Sequence, residues 1–202
     1  MCWNSSVSIN TYIFGLFACL FSYSNGVINI YDFLLYQSFM IMQLIEYLVW
    51  TETFSNRLLS QIAFIAVLSQ PLFNILRLKS KPEWIPYLLI SYISFLIISI
   101  IFISSYQKIN FTMTASKNGH LSWNWLDIQY FPIYLFIWYA FYSITFIIEK
   151  WYFAYFNLTL LLIISLVLFS NTHTWGSMWC WFANATSIYL IANVFYKEFC
   201  TI

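Results

Sequence analysis

Residues 84–105 contain no charged side chain, and most of the chain is built in the same way. A helix of roughly 20 apolar residues is what it takes to cross the hydrocarbon of a bilayer. Seven stretches of the chain meet that requirement: about 7–24, 32–50, 58–77, 84–105, 128–148, 152–170 and 176–196. The fold class this predicts is all-α, a single transmembrane domain over residues 1–202 with seven spanning helices. Nearly every position in these stretches is apolar, so periodicity does not separate lipid-facing from buried sides.

Composition supports the same reading. Only 7% of the residues are charged and 62% are hydrophobic, whereas a soluble domain carries about a quarter charged residues to coat its surface. A lipid-facing surface needs no such coat. The net charge of +1 and the scattered basic residues form no aromatic-lined basic groove, so nucleic acid is not an expected partner and the bilayer is.

The connections carry turn signals. Ser24-Asn25-Gly26 follows the first stretch, Lys79-Ser80-Lys81-Pro82-Glu83 separates the third from the fourth, and Glu149-Lys150 makes a tight turn after the fifth. Met1-Cys2-Trp3-Asn4-Ser5-Ser6 lacks a basic leader region, so the first stretch is expected to stay as a span. With seven spans, Arg77, Lys79, Lys81, Lys150 and Lys197 share the side of the C-terminus. Arg57, Lys108 and Lys117 share the side of the N-terminus. Basic residues accumulate on the cytosolic side, which predicts a non-cytosolic N-terminus and a cytosolic C-terminus.

Within this apolar setting Glu46 stands out, in Met42-Gln43-Leu44-Ile45-Glu46-Tyr47-Leu48-Val49-Trp50. A carboxylate at a span centre costs about 2.5–3.5 kcal/mol on insertion scales, and less near an interface. Such a side chain is expected to face protein. Gln43, Glu46 and Trp50 fall at i, i+3 and i+7, on one stripe of the helix. The predicted topology brings Cys2, His120, His173 and Cys180 to the same, non-cytosolic end. Gln70, beside Pro71, adds a polar side chain and a kink to the third span.

Each candidate has a plainer explanation. Glu46 can be a structural carboxylate, the thiols inert or paired in a disulfide, and His120 an interfacial loop residue between tryptophans. Gln70, Asn184 and Asn193 can serve interhelical hydrogen bonding. The sharper alternative joins Cys2, His120 and Cys180 as metal ligands beside Glu46, a set that would suit zinc. No CxxC or HExxH pattern accompanies it. No phosphate loop, nucleophile elbow or lysine within the seventh stretch is present either.

Met1-Cys2-Trp3-Asn4-Ser5, Gln43-Leu44-Ile45-Glu46 with Trp50, the His120 segment, and Ser177-Met178-Trp179-Cys180-Trp181-Phe182-Ala183 together resemble a family of small multi-pass membrane proteins. Its bacterial members open with Met-Cys-Phe/Trp-Ser, and similar chains occur in large DNA viruses and algae. The resemblance implies that Cys2, Gln43, Glu46, Trp50, His120, Trp179 and Cys180 match motif positions. Asn4 stands where Ser is usual, and Gln70 where some members have His. The family supplies no established activity.

The expectation is therefore a multi-pass membrane protein with a polar site at its non-cytosolic end. Glu46 and His120 are its candidate catalytic pair. Three readings compete: a metal-dependent membrane enzyme, a proton or cation channel or carrier, and a non-catalytic scaffold.

Overall fold

The computed structural model describes residues 4–79, 82–106, 109–127, 131–178 and 180–200. Helices dominate it: α1 Ser5–Ser24, α2 Ile30–Trp50, α3 Asn56–Leu76, α4 Ile85–Tyr106, α5 Phe131–Ile148, α6 Tyr152–Phe169, α7 Trp175–Met178 and α8 Cys180–Cys200. Six of the helices are long and apolar enough to cross a membrane among the described residues, consistent with an integral multi-pass protein. The expected seventh stretch, 176–196, instead holds the single turn α7 and then α8. α8 is not among the six. Its Asn184, Thr186, Ser187, Asn193 and Lys197 dilute the apolar run.

Local signals set the helix ends. The Asn4 side chain accepts from Val7 N at 2.8 Å to start α1, and Asn29 with Asp32 forms a capping box on α2. α1 stops on Gly26, at φ +62°, with Val27 N bonded to Ser22 O and Gly26 N to Tyr23 O. That is a Schellman cap. The same paired bonds close α2 at Glu52, α5 at Lys150 and the end of α6 at His173, all non-glycine residues with φ of 51°, 59° and 51°. Pro71 lies inside α3 and removes the N–H that would serve the Val67 carbonyl one turn back. The Trp138 indole of α5 donates to that carbonyl instead, at 3.0 Å. The freed backbone group thus pins α5 to α3.

The bundle is ordered by packing. α1, α2 and α3 pack consecutively, α8 returns against α1, and α5 lies on α3. α4 and α6 are peripheral: 6% of the α4 span and 11% of the α6 span are buried inside the protein, against 44% for α2. Their outer surfaces carry large apolar side chains such as Phe153 and Val167, which suit lipid.

The connection 106–127 is more than a loop. It holds β1 Met113–Ala115 and β2 Leu121–Trp123, antiparallel with Met113 opposite Trp123, followed by a 3₁₀ turn over Asn124–Leu126. Both strands are three residues long, and this small sheet departs from the expected all-helical fold. Asn56, in the first turn of α3, clamps it: Nδ2 donates to Met113 O at 2.7 Å and Oδ1 accepts from Met113 N at 2.8 Å. Met113, Leu121, Trp123, Trp125 and Trp175 are buried against Met42, Ile45, Leu59 and Ala63. The hairpin, the 3₁₀ turn and α7 therefore form a cap whose apolar underside plugs one end of the bundle.

Candidate functional site

Glu46 lies beneath that cap and is fully buried, at 0% exposure. Two elements remote in sequence reach it. The Trp123 indole of β2 donates Nε1–H to Glu46 Oε1 at 3.3 Å, and the Ser177 hydroxyl of α7 lies 2.8 Å from the same oxygen. Ser177 Oγ is also 2.7 Å from the Leu121 carbonyl. One carboxylate of α2 thus ties together α2, the hairpin and α7. This fulfils the expectation that Glu46 faces protein.

Close approach makes the arrangement achievable. Gly176 packs beneath the Trp123 ring, where a Cβ would meet Cδ2 at 2.9 Å and Cε3 and Cζ3 closer still. Trp123 stacks on Trp125 with centroids 5.3 Å apart and planes 16° apart, and Trp125 meets Phe64 of α3 edge-on at 5.5 Å. The His173 carbonyl accepts from Trp123 N at 3.2 Å. His173 therefore contributes through its backbone, while its side chain is exposed.

The structure brings some sequence candidates together and leaves others aside. Gln43 is buried on the same α2 stripe as Glu46, and Trp50 is half-buried against the core beneath the cap. His120 is buried in the turn of the hairpin, next to Leu121, and its backbone N–H donates to Asn118 Oδ1 at 3.2 Å. Burial pushes the His120 imidazole below its ordinary range. Gln70 is buried near the middle of the bundle, its Nε2 3.4 Å from the Ser38 carbonyl of α2. Cys2 and Trp179 lie outside the described residues, as does the side chain of Cys180, the first residue of α8. Among the described residues no group of three His, Cys, Asp or Glu side chains comes together as a metal site.

Sequence reasoning missed Trp123 and Ser177 as partners of Glu46, although both lie in segments it singled out. It also missed a charged cluster at the opposite end. Arg77, counted only for orientation, is buried with Nη1 3.7 Å from Asp32 Oδ1 and 3.8 Å from Glu149 Oε2. Its Nε donates to Asn74 Oδ1, and its guanidinium lies 4.9 Å from the Trp151 ring centroid and 5.3 Å from that of Phe146. Asn74 Nδ2 in turn donates to Tyr142 O at 2.6 Å and lies 2.7 Å from Thr145 Oγ1. Stacking and ion pairing together hold the ends of α3 and α5 beside the start of α2.

Compared with known proteins, the chain matches no family model, no curated protein and no solved structure.

Proposed function

We propose that this chain is a seven-span integral membrane protein whose working site is the capped Glu46 end, where Glu46 takes up and releases a proton. In this reading the N-terminus and the cap are non-cytosolic and the C-terminus is cytosolic. The five-to-three distribution of basic residues supports that orientation. α8 is the seventh span. Its 21 residues are long enough, and three of its polar residues are taken up within the protein: Thr186 and Ser187 are buried, and Asn184 Nδ2 reaches Thr11 Oγ1 of α1 at 3.4 Å. A helix whose polar side chains are engaged by its neighbours is tolerated in lipid.

The observation that carries the proton reading is the shared Ser177 hydroxyl, 2.8 Å from Glu46 Oε1 and 2.7 Å from Leu121 O. A serine has one proton to donate. With Glu46 ionised, that proton goes to the carboxylate and the Leu121 carbonyl goes without it. With Glu46 protonated, the acid donates to Ser177 and Ser177 donates to Leu121. The two arrangements differ by one proton and by which group grips the cap. Ionisable residues inside spans serve proton relays and ion paths, and the same carboxyl is placed to act as a general acid or base. The resemblance of the Gln43–Trp50 and Ser177–Ala183 segments to family motifs supports placing the site here.

The test is proton movement across proteoliposomes carrying an internal pH dye, paired with pH-difference infrared spectroscopy. Wild type should dissipate an imposed pH gradient and show a carboxyl band that titrates. Glu46→Gln should lose both while keeping its helical content. Wild-type liposomes as tight as empty ones, with no carboxyl band that Glu46→Gln removes, would defeat the reading.

A further inference from the structure

A cavity of about 120 Å³ lies between α2, α3, α4 and α5, directly under the cap. Its walls are almost wholly apolar and largely aromatic, with Phe95, Tyr134, Trp138 and Trp123 among the lining residues. None of the side chains lining it is charged; its polar lining residues include Gln43 and Gln70. Trp123 partitions the molecule: its ring roofs this cavity while its N–H is turned to Glu46.

The cavity has a closed end and an open side. Trp123, Trp125 and Trp175, each at most 8% exposed, seal it toward the cap. α4 is held to the bundle through its first half, where Tyr92 Oη donates to Leu68 O and its ring packs on Phe141 at 5.1 Å. Farther along α4, Ile100 lines the cavity and is still 50% exposed. The cavity therefore reaches the apolar exterior of the helices at that point.

We infer that the cavity binds a neutral lipophile with a six-membered ring bearing a carbonyl or hydroxyl oxygen, its apolar tail leaving past Ile100 into the bilayer. Size, walls and polar groups each contribute. A dry cavity of about 150 Å³ lined by apolar side chains accommodates benzene, so a partly open space of about 120 Å³ takes no more than one ring. Aromatic walls favour stacked and edge-on contacts with such a ring. Gln70 Nε2 gives one N–H to the Ser38 carbonyl and carries a second for a ring oxygen, and in an apolar site a few placed polar groups fix orientation. A charged head group would find no counter-charge among the lining side chains.

The experiment uses the full chain in detergent micelles and follows quenching of its tryptophans by 2-decyl-1,4-benzoquinone, a ring with two carbonyl oxygens and a tail. 1-Decanol, which lacks the ring, and toluene, which lacks tail and oxygen, are competitors. Saturable quenching is expected, with toluene competing weakly and 1-decanol not at all. Gln70→Leu should weaken binding between about two- and tenfold, the effect of one lost hydrogen bond, and Ser99→Trp should abolish it by filling the space. Should Ser99→Trp fail to fold, Gln70→Leu, which keeps the volume, reads the same inference. Quenching that is unsaturable, or equal in wild type and Gln70→Leu, would mean partition into the micelle and would overturn it. Glu46→Gln should leave quinone binding intact, so this site and the proton site stand or fall separately.

Discussion

Gly176 and Trp123 are so closely packed that the glycine has no room for a side chain: a Cβ there would overlap the indole six-membered ring. The contact orients Trp123 toward Glu46. Gly176→Ala should therefore displace the ring, lengthen or break the Trp123–Glu46 bond, and cost about 1–3 kcal/mol, as overpacking does. Gly15→Ala offers a control. It meets the Met40 side chain, which is unbranched and adaptable, and the new alanine is the better helix former by about 1 kcal/mol. Denaturant unfolding in detergent should show Gly176→Ala as clearly the more damaging of the two.

Removing the acceptor at Glu46 should be graded. Glu46→Gln keeps an amide oxygen for Trp123 and Ser177 and should lose little stability. Glu46→Leu leaves the Trp123 N–H facing an apolar side chain, whereas Ser177 retains Leu121 O. One orphaned buried donor costs about 1–3 kcal/mol. Unfolding midpoints of the two variants, measured side by side, check the order. Equal losses would mean that Glu46 acts through charge rather than as an acceptor.

His120 sets a pH dependence with a definite sign. Burial lowers its folded-state affinity for a proton, so on acidification the unfolded chain takes up the proton first. Its contribution is fully present above the unfolded value of about 6.5 and is lost as pH falls from there toward the lower folded value. Thermal unfolding of wild type should drop across that window, and His120→Gln should flatten this part of the profile.

Three helix ends invite stabilisation. Glu52, Lys150 and His173 hold left-handed backbone that a residue with a Cβ adopts at a cost of about 1–2 kcal/mol. Lys150→Gly should raise the unfolding temperature, because Lys150 is exposed and its backbone bond to Ile147 O persists in the glycine variant. A lower melting temperature would show that the Lys150 side chain does more than ride on the turn.

At the other end, Arg77→Met should be severe. It leaves Asp32 and Glu149 without their common cation, and breaking a buried ion pair from one side costs about 3–5 kcal/mol. Arg77→Met combined with Glu149→Gln should recover part of the loss. Arg77→Lys should not rescue fully, since an ammonium lacks the planar group that stacks under Trp151 while bonding Asn74. Equilibrium unfolding of the three variants decides this.

Six of the seven expected spans were legible because the property that makes them, an unbroken apolar run such as 84–105, is local. Gly26 marks an end for the same reason, as turn chemistry depends on neighbouring residues. The cap was not legible. Its strands are three residues each, too short to show alternation, and they are held by Asn56 from another helix. Glu46 could be picked out by its cost in lipid, yet its partners are 77 and 131 residues away and follow from no local pattern. Arg77 was read as an orientation marker because an arginine at a span end looks the same in sequence whether it meets water or is buried beside Trp151. The cavity was invisible for a related reason: an apolar residue facing a gap is spelled like one facing lipid.

The Ser22 hydroxyl donates to the Leu190 carbonyl, a bond between residues 168 positions apart. Translation runs at about 5–20 residues per second, so the ribosome makes the first of these partners roughly ten to thirty seconds before the second. Throughout that interval Thr11 and Ser22 of α1 lack the α8 partners they meet in the finished fold. The newborn chain must keep α1 at the insertion machinery, or in the care of another membrane protein, until the last helix emerges. Shortening the chain from its C-terminal end would leave α1 in that dependent state permanently, marking it for quality control while every earlier span was already in place.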